Sequence, residues 1–413
     1  MTDWTLGTTQ ILAIAIFLAT YVAIAIGRLP GLRVDRAGAA LIGAALMVGC
    51  GVLSPEDAYR AIDLDTITLL LGMMIVVAHL RLSGFFRMAT GWAVGRARHP
   101  ALLLAAIVVT TGVLSAFLVN DAICLVMTPI VITLTRALDR NPVPYLIAVA
   151  LAANVGSTAT ITGNPQNMII GNLSGISYEA FTGALLPIAA LGLLLTILLV
   201  LVLNPREYLA RARLPNVTVP THYHRWLAAK SALVSLAMIG LFFLGQPVAK
   251  TAICAAALLL LTRRVEPRKV YAEIDGPLLL MFAGLFVVVR GLEHAVLTRD
   301  VVGQVAQFDL GDVAVLTGVT AVLSNLVSNV PAVLVLKPFV EHLQEPQRAW
   351  LVVAMASTLA GNFTLLGSVA NLIVAERAAK EGIAIDFWAY FRIGAPLTIA
   401  TLAIGIVVLS HAQ

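Results

Sequence analysis

Residues 156–167 read Gly-Ser-Thr-Ala-Thr-Ile-Thr-Gly-Asn-Pro-Gln-Asn, and residues 361–371 read Gly-Asn-Phe-Thr-Leu-Leu-Gly-Ser-Val-Ala-Asn. Each polar run interrupts an apolar stretch long enough to span a bilayer, at about 144–173 and about 349–380. Irregular backbone at membrane depth survives only when buried in protein or lining a cavity. Glycine lets the chain unwind and approach a ligand closely. Pro165 stands one residue into a new half-helix, where it removes no needed hydrogen bond. The two runs also match each other. Thr160, Gly163, Asn167 and Ile169 recur as Thr364, Gly367, Asn371 and Ile373, 204 positions later.

The matching extends along the chain. Pro55, Tyr59, Ile62 and Asp63 recur as Pro267, Tyr271, Ile274 and Asp275 at an offset of 212. Leu114, Ser115, Asn120, Leu125, Val126 and Pro129 recur as Leu323, Ser324, Asn329, Leu334, Val335 and Pro338 at 209. Ile176 and Pro187 recur as Ile385 and Pro396, again at 209. Apolar matches arise easily by chance, whereas ordered Asn, Gly, Pro, Tyr and Asp matches do not.

Eight uninterrupted spans read at about 8–27, 36–53, 65–83, 180–203, 224–244, 247–264, 275–295 and 389–410. Two regions, about 100–138 and 311–344, read as pairs of apolar stretches meeting at Val119-Asn120-Asp121 and Ser328-Asn329-Val330-Pro331. These are expected to be re-entrant hairpins. The fold class is then an all-α polytopic membrane protein of two inverted repeats, each with five transmembrane helices, one of them broken, and a re-entrant hairpin. Residues 1–203 form the first repeat, 204–223 a basic cytoplasmic linker and 224–413 the second repeat. Five crossings is an odd number, so the second repeat lies inverted in the bilayer.

Composition agrees. Of 413 residues, 60% are hydrophobic and only 12% charged, against about 25% charged in soluble domains. A soluble enzyme, a disordered scaffold and a nucleic-acid binder are excluded, and the net charge of +5 marks loops rather than acidic partners. Twenty of the 27 Lys and Arg fall on one side of the expected topology and four on the other. That asymmetry makes the arginine-rich side cytoplasmic, with both termini outside the cytoplasm and a bacterial inner membrane as the expected location. Residues 1–7 lack a basic n-region, so the first apolar stretch reads as a span, not a cleaved signal. Cys50, Cys124 and Cys254 lie scattered in apolar stretches, with no CxxC and no implied zinc site. His222 and His224 are expected to be solvated rather than metal-bound.

Inverted repeats with broken helices mark a secondary transporter whose site lies near the midplane. The four breaks should converge there. Half-helix N-termini offer free N–H groups, while freed carbonyls and Asn, Ser and Thr oxygens can hold hydroxyls or a small cation. The candidate binding residues are Asn120, Asp121, Thr160, Gly163, Asn164, Asn167, Ser328, Asn329, Thr364, Gly367, Ser368 and Asn371. Asp121 is the sole carboxylate in the repeated core segments, and intramembrane ionisable groups are functional candidates. Lys337 can reach the site, pair with Asp121 or snorkel to an interface; with Asp121 it is a coupling candidate. Arg290, Glu293 and His294 read as an interfacial anchor, and Cys124 as a small core hydrophobe. No nucleophile–base pair, metal cluster or GxxxxGK[ST] motif occurs in the spans, so no catalytic residue, resident metal or cofactor is expected.

At these residues the chain resembles the ion transporter superfamily over nearly its whole length. Leu118-Val119-Asn120-Asp121-Ala122 with Thr128-Pro129 is similar to the first hairpin of arsenical pump membrane proteins. Gly163-Asn164-Pro165-Gln166-Asn167 is similar to the break of the arsenical-pump and silicon-efflux branch. Ser328-Asn329-Val330-Pro331 and Gly367-Ser368-Val369-Ala370-Asn371 resemble the second-half counterparts. The related divalent anion:sodium symporters carry Ser-Asn-Thr at both tips, from which Val119-Asn120-Asp121 and Ser328-Asn329-Val330 depart. The resemblance implies an elevator mechanism and a homodimer, and a soluble ATPase partner stays open. The expected function is proton-coupled export of a small inorganic solute, arsenite/antimonite or silicic acid. The alternative is sodium-coupled uptake of dicarboxylate or sulfate.

Overall fold

The computed structural model describes residues 7–26, 34–94, 98–208, 224–262, 264–296 and 309–411. Among them are twenty α-helices, one 3-10 turn and no strand. In chain order the helices are α1 (Thr8–Ile26), α2 (Arg36–Gly49), α3 (Pro55–Ala61), α4 (Leu64–Ser83), α5 (Phe85–Val94), α6 (Pro100–Phe117) and α7 (Asn120–Ala137). Then come α8 (Pro142–Ser157), α9 (Pro165–Ser174), α10 (Tyr178–Leu203), α11 (Pro205–Tyr208), α12 (Arg225–Phe243), α13 (Val248–Leu260), α14 (Pro267–Tyr271) and α15 (Gly276–Val296). The last are α16 (Val313–Val327), α17 (Asn329–Val340), α18 (Pro346–Ala360), α19 (Val369–Lys380) and α20 (Phe387–His411). Eight of these are long and apolar enough to cross a membrane, α6 and α7 included. The chain is a multi-pass membrane protein. His222 lies outside the described residues, and His224 precedes α12.

The breaks occur where the sequence places them. The 144–173 stretch becomes α8, the 3-10 turn Ile161–Gly163 and α9; the 349–380 stretch becomes α18, an irregular link and α19. Asn141 and Ser177 cap α8 and α10 with their side chains, as expected of such residues ahead of apolar runs. The α6–α7 and α16–α17 pairs turn at Leu118-Val119 and Ser328. Val119 has φ 51° and Ser328 φ 76°, an uncommon conformation for non-glycine residues and a strained one for a β-branched side chain. These two residues are equivalents, 209 positions apart.

α8 is apolar all round and buried from Pro144 to Ser157, as a central helix must be. α6 packs on α8, and α16 on α18. α10 and α20 pack together and expose Leu194, Val202, Ile399 and Val407, the apolar surface a lipid phase requires. Elsewhere the halves interlock. A Cβ on Gly72 of α4 would sit 2.8 Å from the Ala252 carbonyl carbon in α13, and one on Gly284 of α15 would sit 2.7 Å from that of Ala40 in α2. Small residues let backbones approach this closely. Both residues of the second contact stand 212 positions from those of the first.

Candidate functional site

Each break is tied by side chains that satisfy unwound backbone. Asn167 donates from Nδ2 to Ser157 O (3.2 Å) and Thr160 O (3.0 Å). Asn371 donates from Nδ2 to Gly361 O (2.8 Å) and Thr364 O (3.1 Å). All three residues of the second set lie 204 positions beyond those of the first. Gly163 is needed because a Cβ there would fall 2.1 Å from Ser157 O; at Gly367 the distance to Gly361 O is 2.9 Å. Ser115 donates to Ala153 O (2.6 Å), and Ser324 Oγ lies 2.9 Å from Ser357 O, the same link between α6 and α8 and between α16 and α18.

The breaks then reach across to one another. Asn164 Nδ2 and Gln166 Nε2 donate to Thr358 Oγ1 in α18, at 3.2 and 3.1 Å. Asn154 in α8 does more. Its Oδ1 accepts from Asn120 Nδ2 (3.0 Å) and Ser368 Oγ (3.1 Å). Its Nδ2 donates to Asn362 Oδ1 (2.9 Å) and Asn371 Oδ1 (3.1 Å). One amide has four hydrogen-bonding positions, and all four are used.

These contacts frame a cavity of about 320 Å³ between the two hairpin tips, bounded on its far side by α1, α2 and α15. Of the sequence-predicted residues, Asn120, Asp121, Ser328, Asn329 and Ser368 line it. Thr160, Gly163, Asn164, Asn167, Thr364, Gly367 and Asn371 do not; they hold the two breaks in shape behind it. Asn120 Oδ1 and Asn167 Oδ1 are buried without a hydrogen-bond partner among the described residues. Neither α7 nor α17 has a side-chain cap, so the first-turn N–H groups are free at the tips, fewer at α17, where Pro331 has none.

Residues not anticipated join the lining. Gln166 and Pro165 come from the first break, and Arg36, Asp35 and Asp275 from α2 and α15. Asp121 is therefore not the sole carboxylate here. Asp275 accepts from Leu278 N at the start of α15 (3.0 Å). Its signal was present in the repeated Asp63/Asp275 pair. Asn154 gave one too, as a lone amide within an apolar run. Cys124 is buried, consistent with a core role.

Lys337 is placed differently from two of its three expected positions. It neither lines this cavity nor meets Asp121. Its Nζ is 3.5 Å from Glu293 Oε1, and Arg290 donates to Glu293 Oε2 at 3.2 Å. With Asp57 and Arg60 these residues line a second cavity of about 290 Å³. The reason is helical rise: eight residues beyond Asn329 carries Lys337 about 12 Å from the tip. The two cavities share α15 and α17. The first ends at Phe282 and Pro331, the second begins at Phe286 and Leu334, about one helical turn further.

Paired broken helices around a polar cavity in an all-helical membrane fold define a secondary transporter. The chain belongs to the CitMHS family, described as citrate transporters, whose match covers residues 21–360. It is 30% identical to the silicon efflux transporter LSI3 of Oryza sativa subsp. japonica, over 91% of this chain and 93% of that one. It is 25% identical to the putative transporter arsB of Dictyostelium discoideum, over 91% and 87%. The fold matches the YdaH transporter of Alcanivorax borkumensis with a TM-score of 0.62, at 14% identity and 98% coverage of both chains.

Proposed function

We propose that this protein exports a small inorganic hydroxide, arsenite/antimonite or silicic acid, in exchange for protons. The observation carrying this is the lining of the first cavity. It combines amide groups and free N–H groups at two hairpin tips with the carboxylates of Asp121 and Asp275. Such a lining suits a neutral, hydroxyl-rich solute and a titrating carboxylate. The silicon-efflux and arsB-like relatives support the same solute class.

In this reading Asp121 alternates between proton and solute. The hairpins and broken helices move as one body against α1, α2, α4, α12, α13 and α15, as an elevator, within a homodimer. Arg36 and Asp275 lie on the arginine-rich side of the expected topology, so the first cavity opens to the cytoplasm and the second, around Glu293, faces outward. The halves 1–203 and 224–413 are inverted repeats. The hydrogen bonds repeating at 204 and 209 positions support that assignment.

Reconstituted protein tests this. A proton gradient, acidic outside the cytoplasmic face, should drive accumulation of silicic acid or arsenite. Sodium-dependent succinate or sulfate uptake without proton-driven flux would overturn it and favour the second reading, sodium-coupled anion uptake; the family description supports an organic anion as substrate and names no coupling ion. Downhill flux alone would make the protein a channel.

A further inference from the structure

Two hydrogen-bond chains end at the first cavity, and each begins at groups that cannot be reversed. The first starts at Asn371, whose Nδ2 meets Gly361 O and Thr364 O. Backbone carbonyls only accept, so this amide cannot be turned over, and its Oδ1 must be an acceptor. Asn362 is held likewise, with Nδ2 on Leu151 O at 3.2 Å. Asn154 must therefore direct Nδ2 at both oxygens. Its Oδ1 is left for the other side, where it receives Ser368 Oγ and Asn120 Nδ2. What remains of Asn120, a residue 3% exposed that lines the cavity, is the second N–H of Nδ2 and Oδ1, the oxygen buried and unpartnered among the described residues.

The second chain starts at Ser357 O. Ser324 Oγ lies 2.9 Å from it and 2.7 Å from Asn329 Oδ1. A hydroxyl has one proton, and here two acceptors compete for it. Ser115, the equivalent 209 positions earlier, gives its proton to a backbone carbonyl. With the Ser324 proton on Ser357 O, the better contact is Asn329 Nδ2 donating to Ser324 Oγ. That is an end-for-end turn of the amide with the heavy atoms in place. Oδ1 of Asn329 is then the free end at the cavity.

We infer that Asn154 and Ser324 are positioning residues that hold both tip amides with their oxygens toward the cavity, so that the site selects solutes able to donate hydrogen bonds. This rests on the cavity being the solute site proposed above. A neutral hydroxide gives its hydrogens to Asn120 and Asn329 and offers its lone pairs to the free N–H groups of α7 and α17. Sulfate or a dicarboxylate dianion has only acceptors, and meets two amide oxygens and the carboxylates of Asp35, Asp121 and Asp275 against the single cation Arg36. Sodium satisfies the oxygens and leaves the N–H groups without a partner.

The test compares Ser324→Ala, Ser324→Thr, Ser115→Ala and Asn154→Ala in the full-length reconstituted protein. Transport of silicic acid, arsenite, sulfate and succinate is measured with and without sodium. Wild type should take the hydroxides and exclude the anions. Ser324→Ala and Asn154→Ala should raise KM for hydroxides relative to anions by ~10-fold or more, with the maximal rate little changed. Ser324→Thr keeps the hydroxyl and should restore the preference. Ser115→Ala loses the equivalent serine-to-carbonyl bond without touching a tip amide, and should keep it. If Asn154→Ala does not fold, the Ser324 and Ser115 variants decide. Ser324→Ala and Ser115→Ala behaving alike, on a wild type that carries hydroxides, overturns the amide assignment alone. A wild type that prefers sulfate or succinate overturns the proposed function with it. Sodium binding without hydroxide binding gives the tip oxygens to a cation and also overturns the inference.

Discussion

In the first break, Asn164 and Gln166 cross to Thr358; in the second, Ser368 and Asn371 cross to Asn154. Thr358 and Asn154 are equivalents, 204 positions apart, and so are Ser368 and Asn164. Asn167 and Asn371 tie the unwound backbone alike in both. The closing residue differs. Asn154 donates twice and accepts twice, whereas a threonine hydroxyl has one proton to give. The consequence is visible at the next pair: Asn371 Oδ1 has a donor, and Asn167 Oδ1 has none among the described residues. The tips differ in a second way, since Asp121 corresponds to Val330. Two halves with one backbone design have divided the chemistry. The first carries a carboxylate at its hairpin tip, and the second has the more completely closed hydrogen-bond lock at its break.

Removing the charge should have the largest effect. Asp121→Asn is expected to abolish proton-driven transport while the protein still folds; unchanged pH dependence of flux in that variant would end the coupling role. Next comes the lock. Asn154→Leu removes four buried hydrogen bonds and should cost about 3 kcal/mol or more, while Thr358→Val removes two, strands only Gln166 because Asn164 keeps Ser157, and should cost about 1–2 kcal/mol. Unfolding by steric trapping in bicelles measures both, and equal losses would erase the distinction between the breaks. The glycines give a third contrast. Gly163→Ala forces a methyl 2.1 Å from Ser157 O and Gly367→Ala 2.9 Å from Gly361 O, so the first should lower the melting temperature more than the second. The smallest change is expected at Lys337→Gln. Its partner Glu293 keeps Arg290, so transport should fall no more than ~3-fold with proton coupling intact. Loss of coupling there would move the charge of the mechanism to the second half.

Much of this was legible in the chain. Spans follow from runs of apolar residues, and the breaks from polar runs inside them, because a bilayer tolerates neither feature by accident. The tips were legible from Asn120 and Asn329 in matched positions. What the sequence could not disclose is which breaks touch. Asn154 sits in Ala-Ala-Asn-Val, where a lone amide reads as ordinary helix packing. Its importance lies in partners at 120, 362, 368 and 371, which only the fold assembles. Asn164, Asn167 and Asn371 were expected at the solute, yet they serve the unwound backbone, because carbonyls freed by a break need donors before any ligand arrives. Asp275 is read from sequence as a helix start, and the turn it caps also walls the cavity.

The glycine crossings bear on how such a chain is made. Gly72 is shaped to receive Ala252, and Gly284 to receive Ala40. Each half thus carries a groove whose filler belongs to the other. During synthesis α4 enters the membrane about 180 residues ahead of α13, a delay of roughly 10–40 s at ordinary translation rates. For that interval the groove at Gly72 holds lipid or a provisional neighbour. Splitting the gene in the 204–223 segment and expressing the pieces separately should leave both halves protease-sensitive, and expressing them together should restore protection.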